Sequence, residues 1–502
     1  MDKRKSILNV SVSIFTKLIL TVSVIVVRRF LIRYCGNEAN GLNDLYLSIL
    51  GFFAIAELGV GSAVCYCMYR PIVNGEADKV AALYQLLRKL YWIIGGVILL
   101  GGLCLSPFLH IFARDYAQLN WNLQGNFLLV LVSVVITYLY GAETTLINAY
   151  KNNYITTAIN SLGMLLQQVL QIIVLVWTSS FTWYLACRIV AALLQWCVAK
   201  IIARKKYRAL MQRKARLEKE TVAEVVKNVR ALFMHKIGGF LVNTVDSVVV
   251  SSFVGVISLG AYSNYATLMN GVGNLLRLAF SSLSSVVGHL YVEKTKQTTR
   301  RYFDVFHTLN FMLGVVAYLG YYAIIDDLVA LLFAEDLIMA RSVAMAATMN
   351  GFIQFLRHST LLFRDATGTF YYDRWKPLFE GLTNLGLSIL LVNKIGVTGV
   401  IVATIITNLL ICHIVEPYVL HKYAFEVSPK KFYAKNYGMI LTFFAALLLL
   451  DRLMQSAQSH WMQLLINGCI SVAISGSISL ILVLFNYKKI RLLKDEVRKE
   501  KG

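Results

Sequence analysis

The sequence predicts an all-α polytopic membrane protein of about 14 transmembrane helices, two six-helix lobes followed by two C-terminal helices. Three observations predict it. Of 502 residues, 57% are hydrophobic and only 15% are charged, where a soluble domain carries about a quarter charged residues. Apolar runs of about 20 residues, enough to cross a hydrocarbon core of about 30 Å, recur from one end to the other. These runs are continuous rather than alternating, which excludes a β-barrel.

In order, the predicted spans are residues 7–32, 42–69, 91–112, 123–147, 155–177, 180–202, 231–254, 260–290, 304–333, 338–363, 375–393, 397–420, 434–453 and 462–486. The first is too long for a cleavable signal peptide and contains Lys17, Arg28 and Arg29, so it is expected to stay in the protein. With the N-terminal MDKRK in the cytoplasm, cytoplasmic segments collect most of the 49 Lys and Arg, including RKKYRALMQRKARLEKE at 204–220 and the final YKKIRLLKDEVRKEKG. The alternate loops hold Arg33, Arg114, Lys394 and Arg452. This bias predicts cytoplasmic termini at both ends. It also accounts for the formal net charge of +22 without nucleic acid, because basic loops lie against anionic lipid headgroups.

The eight cysteines are scattered, and Cys65-Tyr66-Cys67 lacks the partners of a metal site. No metal or other cofactor is expected. No HExxH, Walker loop, GxSxG or EF-hand pattern occurs, which argues against an ATPase or a hydrolase.

Shifting the first half by 219 residues lays Lys17 on Lys236, Gly36 on Gly255, Gly41 on Gly260 and Tyr46 on Tyr265. The turn GNEANG thereby matches GVISLG, and the span pattern repeats with the same offset. Six spans separate the equivalents, so the repeats run parallel about an axis along the membrane normal, as in one class of transporter. The expected boundaries are 1–230 for the N-terminal lobe with its basic loop, 231–425 for the C-terminal lobe, and 426–502 for two added helices and a basic tail.

Charges inside spans single out the candidate site. Each unpaired charge near the bilayer midplane costs about 2.5 to 3.5 kcal/mol, so it should face protein or water. Lys17 and Arg28 share a face of the first span, and Lys236, Asn243 and Asp246 recur along the seventh. Asn270, Asn274, Arg277, Ser281, Ser285 and Gly288 form one polar or small stripe on the eighth. Asn350, Gln354 and Arg357 form another on the tenth. Further cations in spans are Arg29, Arg188 and Arg341, against Glu57, Glu143 and Asp246 as acids. The excess of cations predicts a wet, net-positive cavity between the lobes. Such a cavity favours an anion, and guanidinium fits phosphate oxygens in bidentate fashion. The expected ligand contacts are Lys17, Arg28, Arg29, Lys236, Arg277 and Arg357 with Asn243, Asn270 and Asn274; Glu57 and Asp246 are the candidate ion carriers.

The first two spans, FLIRYCGNEANGLNDLYLSILGFFAIAELGVGSAVCYCMYRPI, resemble the start of bacterial polysaccharide-export flippases of the Wzx type. That family shares a superfamily with multidrug and toxin extruders and lipid II flippases. VNTVDSVVVSSFVGVISLGAYSNYATLMNGV looks like the family's second-lobe opening, where Asn and Asp precede a Gly turn and a Tyr-bearing helix. The resemblance implies two six-helix lobes, two extra helices, and transbilayer movement of an undecaprenyl-diphosphate-linked oligosaccharide for surface polysaccharide synthesis. It also implies that Arg28 or Arg29, with Arg277, meets the lipid diphosphate. The setting implied is a bacterial cytoplasmic membrane, with membrane lipids, coupling Na+ or H+, and polysaccharide polymerase and glycosyltransferase partners. Unlike drug extruders, the chain has no evident acidic pair on its first span. The alternatives are a multidrug extruder-like secondary transporter, a polytopic polysaccharide polymerase, which would need larger catalytic loops, and an assembly scaffold, which would leave the mid-span charges unexplained.

Overall fold

In the computed structural model the backbone is described for residues 3–57, 59–213, 215, 217, 219–281 and 284–499. Side chains at 3–18, 54, 56, 219, 230–243, 278–281, 284–286, 370 and 485–499 lie outside the description. Every secondary-structure element among the described residues is helical. Among the described residues eight helices are long and apolar enough to cross a membrane, and the protein is a multi-pass membrane protein.

Arg28 and Asp44 would stand about 24 Å apart along a straight helix, yet their side chains meet at 3.0 Å. The reason is Gly36, with φ 81 and ψ 170, inside α1 (Lys3–Phe53). A side chain is disfavoured at that φ, so glycine permits the reversal and α1 becomes two limbs folded back on each other. The second limb ends in a 3-10 turn, Ala54–Glu57, and Gly59 at φ 88 opens α2 (Val60–Asn74). The expected continuous span at 42–69 is therefore broken at its middle.

The first compact unit, Met1–Gly260, contains these segments, α3 (Ala77–Leu105), α4 (Leu109–Phe112), α5 (Leu123–Leu139), α6 (Gly141–Ala149), α7 (Asn153–Thr178), α8 (Phe181–Gln212) and α9 (Lys219–Phe253). Within it α8 packs on α5 and α7, α3 on α5, and α1 on α7 and α9. α10 (Val256–Ser281) begins after Gly255, whose φ is 134. Asp115 caps that start from outside, accepting the backbone N–H groups of Val256 at 2.8 Å and Ile257 at 3.3 Å. A Cβ at Gly41 would overlap the Val256 carbonyl, and one at Gly260 would overlap the Asn37 carbonyl. Positions 37 and 256, like 41 and 260, are related by the repeat offset, so the two glycine turns press on each other reciprocally. Asn37 and Asn40 seal the contact by donating to the carbonyls of Ile257 and Gly260 at 2.8 and 2.9 Å.

The second compact unit, Ala261–Gly502, holds the rest of α10 with α11 (Ser284–Glu293), α12 (Lys296–Leu332), α13 (Arg341–Leu356), α14 (His358–Ala366), α15 (Lys376–Thr407), α16 (His413–Val419), α17 (Lys430–Leu453) and α18 (His460–Lys499). α15 is again a hairpin. It reverses at Ile395 and Gly396, where Gly396 has φ 58, and Asn384 donates to Thr404 Oγ1 across the two limbs at 2.9 Å. Helix α12 is the unit's centre, packed by α13, α17 and α18. Asn467, Ser471 and Ser475 recur every fourth residue on α18 and are all buried, small side chains that permit close helix approach. An aromatic core around Phe303 joins Phe363, Phe425 and Phe432.

Candidate substrate site

Asn270, Asn274 and Arg277 project from one exposed face of α10, as their spacing predicts. Arg277 Nη2 donates to Asn274 Oδ1 at 2.6 Å. Gly273 lies beside the guanidinium, since a Cβ there would come within 3.5 Å of Arg277 Nη1 and 3.4 Å of the Tyr318 hydroxyl. The bare glycine lets the guanidinium lie against the helix next to Tyr318. That tyrosine is buried edge-on against Phe352, in space left by Gly351. Among the described residues no carboxylate forms an ion pair with Arg277. A guanidinium has five donors, and one bond to an amide oxygen leaves most of them for a ligand. Tyr318 escaped the sequence reading because it comes from α12, and no local spacing connects it to Arg277.

Arg28 is differently placed. It donates to Asp44 Oδ2 at 3.0 Å and Oδ1 at 3.3 Å, and the two side chains are only 11% and 17% exposed. Asn43 donates to the same carboxylate at 3.3 Å, and Arg188 Nη2 donates to Asn43 Oδ1 at 2.8 Å. Asn43 thus links Arg188 to the Arg28–Asp44 pair, and the Arg188 Nε is buried without a hydrogen-bond partner. Asp44 was absent from the sequence reasoning, although a reversal at Gly36 would have brought it opposite Arg28. Arg29 is exposed one position further on.

Glu57 occupies the break between α1 and α2 and accepts from the Tyr91 hydroxyl at 3.4 Å. Tyr84, two turns earlier on the same face of α3, donates to Glu143 at 3.2 Å. One tyrosine ladder therefore holds both acids, and its seven-residue spacing was the available signal. Asp246 is half-buried on α9. The side chains of Lys17, Lys236 and Asn243 lie outside the described residues.

Arg357 sits at the junction of α13 and α14, where its donors are taken up inside the second unit. Nη2 and Nε engage the two oxygens of Glu416 at 2.6 and 3.1 Å, and Nη1 reaches Glu380 at 3.4 Å and Asn408. Lys376 joins both acids, at 2.5 Å from Glu416 and 2.9 Å from Glu380. Asn408 opens a π-helical turn, Asn408–Cys412, which widens the helix where the guanidinium enters. The structure thus gathers Asn270, Asn274 and Arg277 on one face, while Arg28 and Arg357 each enter a separate ionic cluster. None of the acids in those clusters had been singled out from the sequence.

No family model matches the chain, and no curated protein matches it. Solved structures do. The chain is similar to the lipid II flippase MurJ in its inward closed conformation, with TM-score 0.65 and 14% identity over 94% of this chain and 99% of that one. It is similar to an inward-facing multidrug resistance MATE family transporter of the MOP superfamily, with TM-score 0.60 and 14% identity over 84% and 96%. It is also similar to the MATE multidrug transporter DinF-BH, with TM-score 0.53 and 13% identity over 83% and 95%. Over nearly its whole length, then, this polytopic helical chain has the fold found in a lipid II flippase and in multidrug transporters of the MATE family.

Proposed function

We propose that the protein is a flippase. It moves an undecaprenyl-diphosphate-linked oligosaccharide from the inner to the outer leaflet of a bacterial cytoplasmic membrane, for surface polysaccharide synthesis, by alternating access. The observation that carries this reading is Arg277, an exposed guanidinium on a polar face of an otherwise apolar helix, with no ion-pair partner among the described residues. A buried or membrane-level cation is expensive unless a counter-charge arrives, and a diphosphate supplies two. Bidentate N–H pairs suit its oxygens. The likeness of fold to a lipid II flippase supports a lipid-linked cargo.

In this reading Lys17, Lys236 and Arg29 add positive charge along the headgroup's route, Arg28 and Arg357, balanced by Asp44 and by Glu416 with Glu380, hold the helices in place, and Asn243, Asn270 and Asn274 offer amides to sugar hydroxyls. The polyprenyl tail stays in lipid. Glu57 or Asp246 carries the coupling H+ or Na+, and both termini are cytoplasmic. Glycosyltransferases supply the cargo and a polymerase consumes it. Arg277→Ala should accumulate lipid-linked oligosaccharide on the inner leaflet, and Arg277→Lys should restore only part of the flux because an ammonium cannot bind bidentately. Normal surface polysaccharide at normal expression in Arg277→Ala overturns the assignment.

A second reading, a multidrug extruder, draws on the likeness to MATE transporters and on a carboxylate at a helix break, where transporters place ion sites. Under it, Arg277→Glu should improve efflux of a cationic dye rather than abolish transport.

A further inference from the structure

Apart from the Arg277 face, a cavity of about 570 Å³ opens in the first unit where α3, α6 and α8 converge. Four cations line it, Arg88 and Lys89 from α3 and Lys200 and Arg204 from α8. Among the described residues none of the four forms an ion pair. Lys200 lies over the Trp196 ring, 4.9 Å from its centroid, which fixes the ammonium at the cavity wall. The one acid in the lining is Glu143, only 4% exposed. Its Oε1 accepts from Tyr84 at 3.2 Å, whereas Oε2 is buried without a hydrogen-bond partner. A buried carboxylate oxygen left without a donor is costly, so the cavity offers a ligand four cations against a single carboxylate, an excess of positive charge, and one unfilled acceptor.

The surroundings indicate how the ligand arrives. Trp92, at the cavity's edge, is 57% exposed, and below it Ile93, Val97 and Leu100 are exposed along α3. α8 likewise exposes Leu194 and Val198. Exposed apolar side chains on spanning helices face acyl chains, and tryptophan concentrates at headgroup depth. The cavity thus lies at the end of α8 from which the basic 204–213 segment continues, with a lipid-facing apolar surface running away from it. That is the geometry of a headgroup site with acyl chains laid along α3 and α8.

We propose that this cavity binds an anionic glycerophospholipid, its phosphate held by Arg88, Lys89, Lys200 and Arg204 and a headgroup hydroxyl donating to Glu143 Oε2. The site stands independently of what the protein translocates. The test is native mass spectrometry of the full-length protein in detergent, titrated with phosphatidylglycerol, phosphatidylmethanol, phosphatidylcholine or inorganic phosphate. Phosphatidylglycerol adducts should exceed phosphatidylcholine adducts roughly tenfold, since each nearby cation strengthens anionic-lipid attachment severalfold. Arg88→Gln with Lys200→Gln should erase that preference. Lys89→Gln with Arg204→Gln, both at exposed positions, should reduce it in a protein that folds normally. Glu143→Leu should keep the preference for anionic lipid and lose the advantage of phosphatidylglycerol over phosphatidylmethanol, which has no headgroup hydroxyl. Equal retention of phosphatidylglycerol and phosphatidylcholine by the unmodified protein overturns the proposal. So does indifference to all three variants, and so does displacement of the lipid by millimolar inorganic phosphate, which would mark a site for a soluble phosphate instead.

Discussion

Replacing Glu416 with alanine removes the hub of the second unit's ionic cluster. The Glu416 side chain is 1% exposed, and it meets Arg357 at 2.6 Å and Lys376 at 2.5 Å. Without it both cations stay buried and share only Glu380, at 3.4 and 2.9 Å. One positive charge is then uncompensated in a site that excludes water. Breaking a buried pair by removing one partner costs about 3 to 5 kcal/mol, and at about 2 to 4 °C per kcal/mol the melting transition should fall by roughly 10 °C. Thermal unfolding of the purified protein in detergent, followed by circular dichroism, measures the shift. Adding Lys376→Met restores neutrality, because Arg357 and Glu380 remain, and should recover at least half of the loss. A drop under about 2 °C for Glu416→Ala, or a double variant whose losses simply add, would refute the view that charge balance holds these helices together.

Asp44→Ala removes the carboxylate that Arg28 meets across the α1 hairpin and should cost about 2 to 4 kcal/mol of unfolding free energy, while Arg28→Asp with Asp44→Arg should return most of it, as read by denaturant titration in micelles. Gly41→Ala and Gly260→Ala each drive a methyl into a carbonyl of the opposite turn, so both should lower folded yield sharply in size-exclusion chromatography, whereas Ala at Gly438, where a Cβ meets nothing within 4 Å, should not. Glu57→Gln should keep binding of lipid-linked cargo and abolish its dependence on an imposed proton or sodium gradient in proteoliposomes; unchanged gradient dependence would move the coupling role to Asp246.

Much of this architecture was legible in the chain because hydropathy is a local sum. Each span's transfer free energy depends on its own side chains, so the helical class and approximate span positions follow without three-dimensional knowledge. The glycine turns were legible for the same reason. Gly36 and Gly255 matched under the repeat offset, and both adopt positive φ. The face carrying Asn270, Asn274 and Arg277 follows from helical periodicity alone.

Which charges are already answered emerges only on folding. Whether a cation is available to a ligand depends on an acid's distance in space, and that acid comes from another helix limb. Asp44 reaches Arg28 across a reversal of 16 residues, and Glu416 reaches Arg357 across 59, so no local pattern distinguishes these arginines from Arg277. Composition and periodicity were enough to specify a membrane-spanning helical protein rich in buried positive charge. The three-dimensional arrangement then neutralised part of that charge internally and left Arg277 exposed, because Coulomb attraction acts through space while periodicity acts only along the chain.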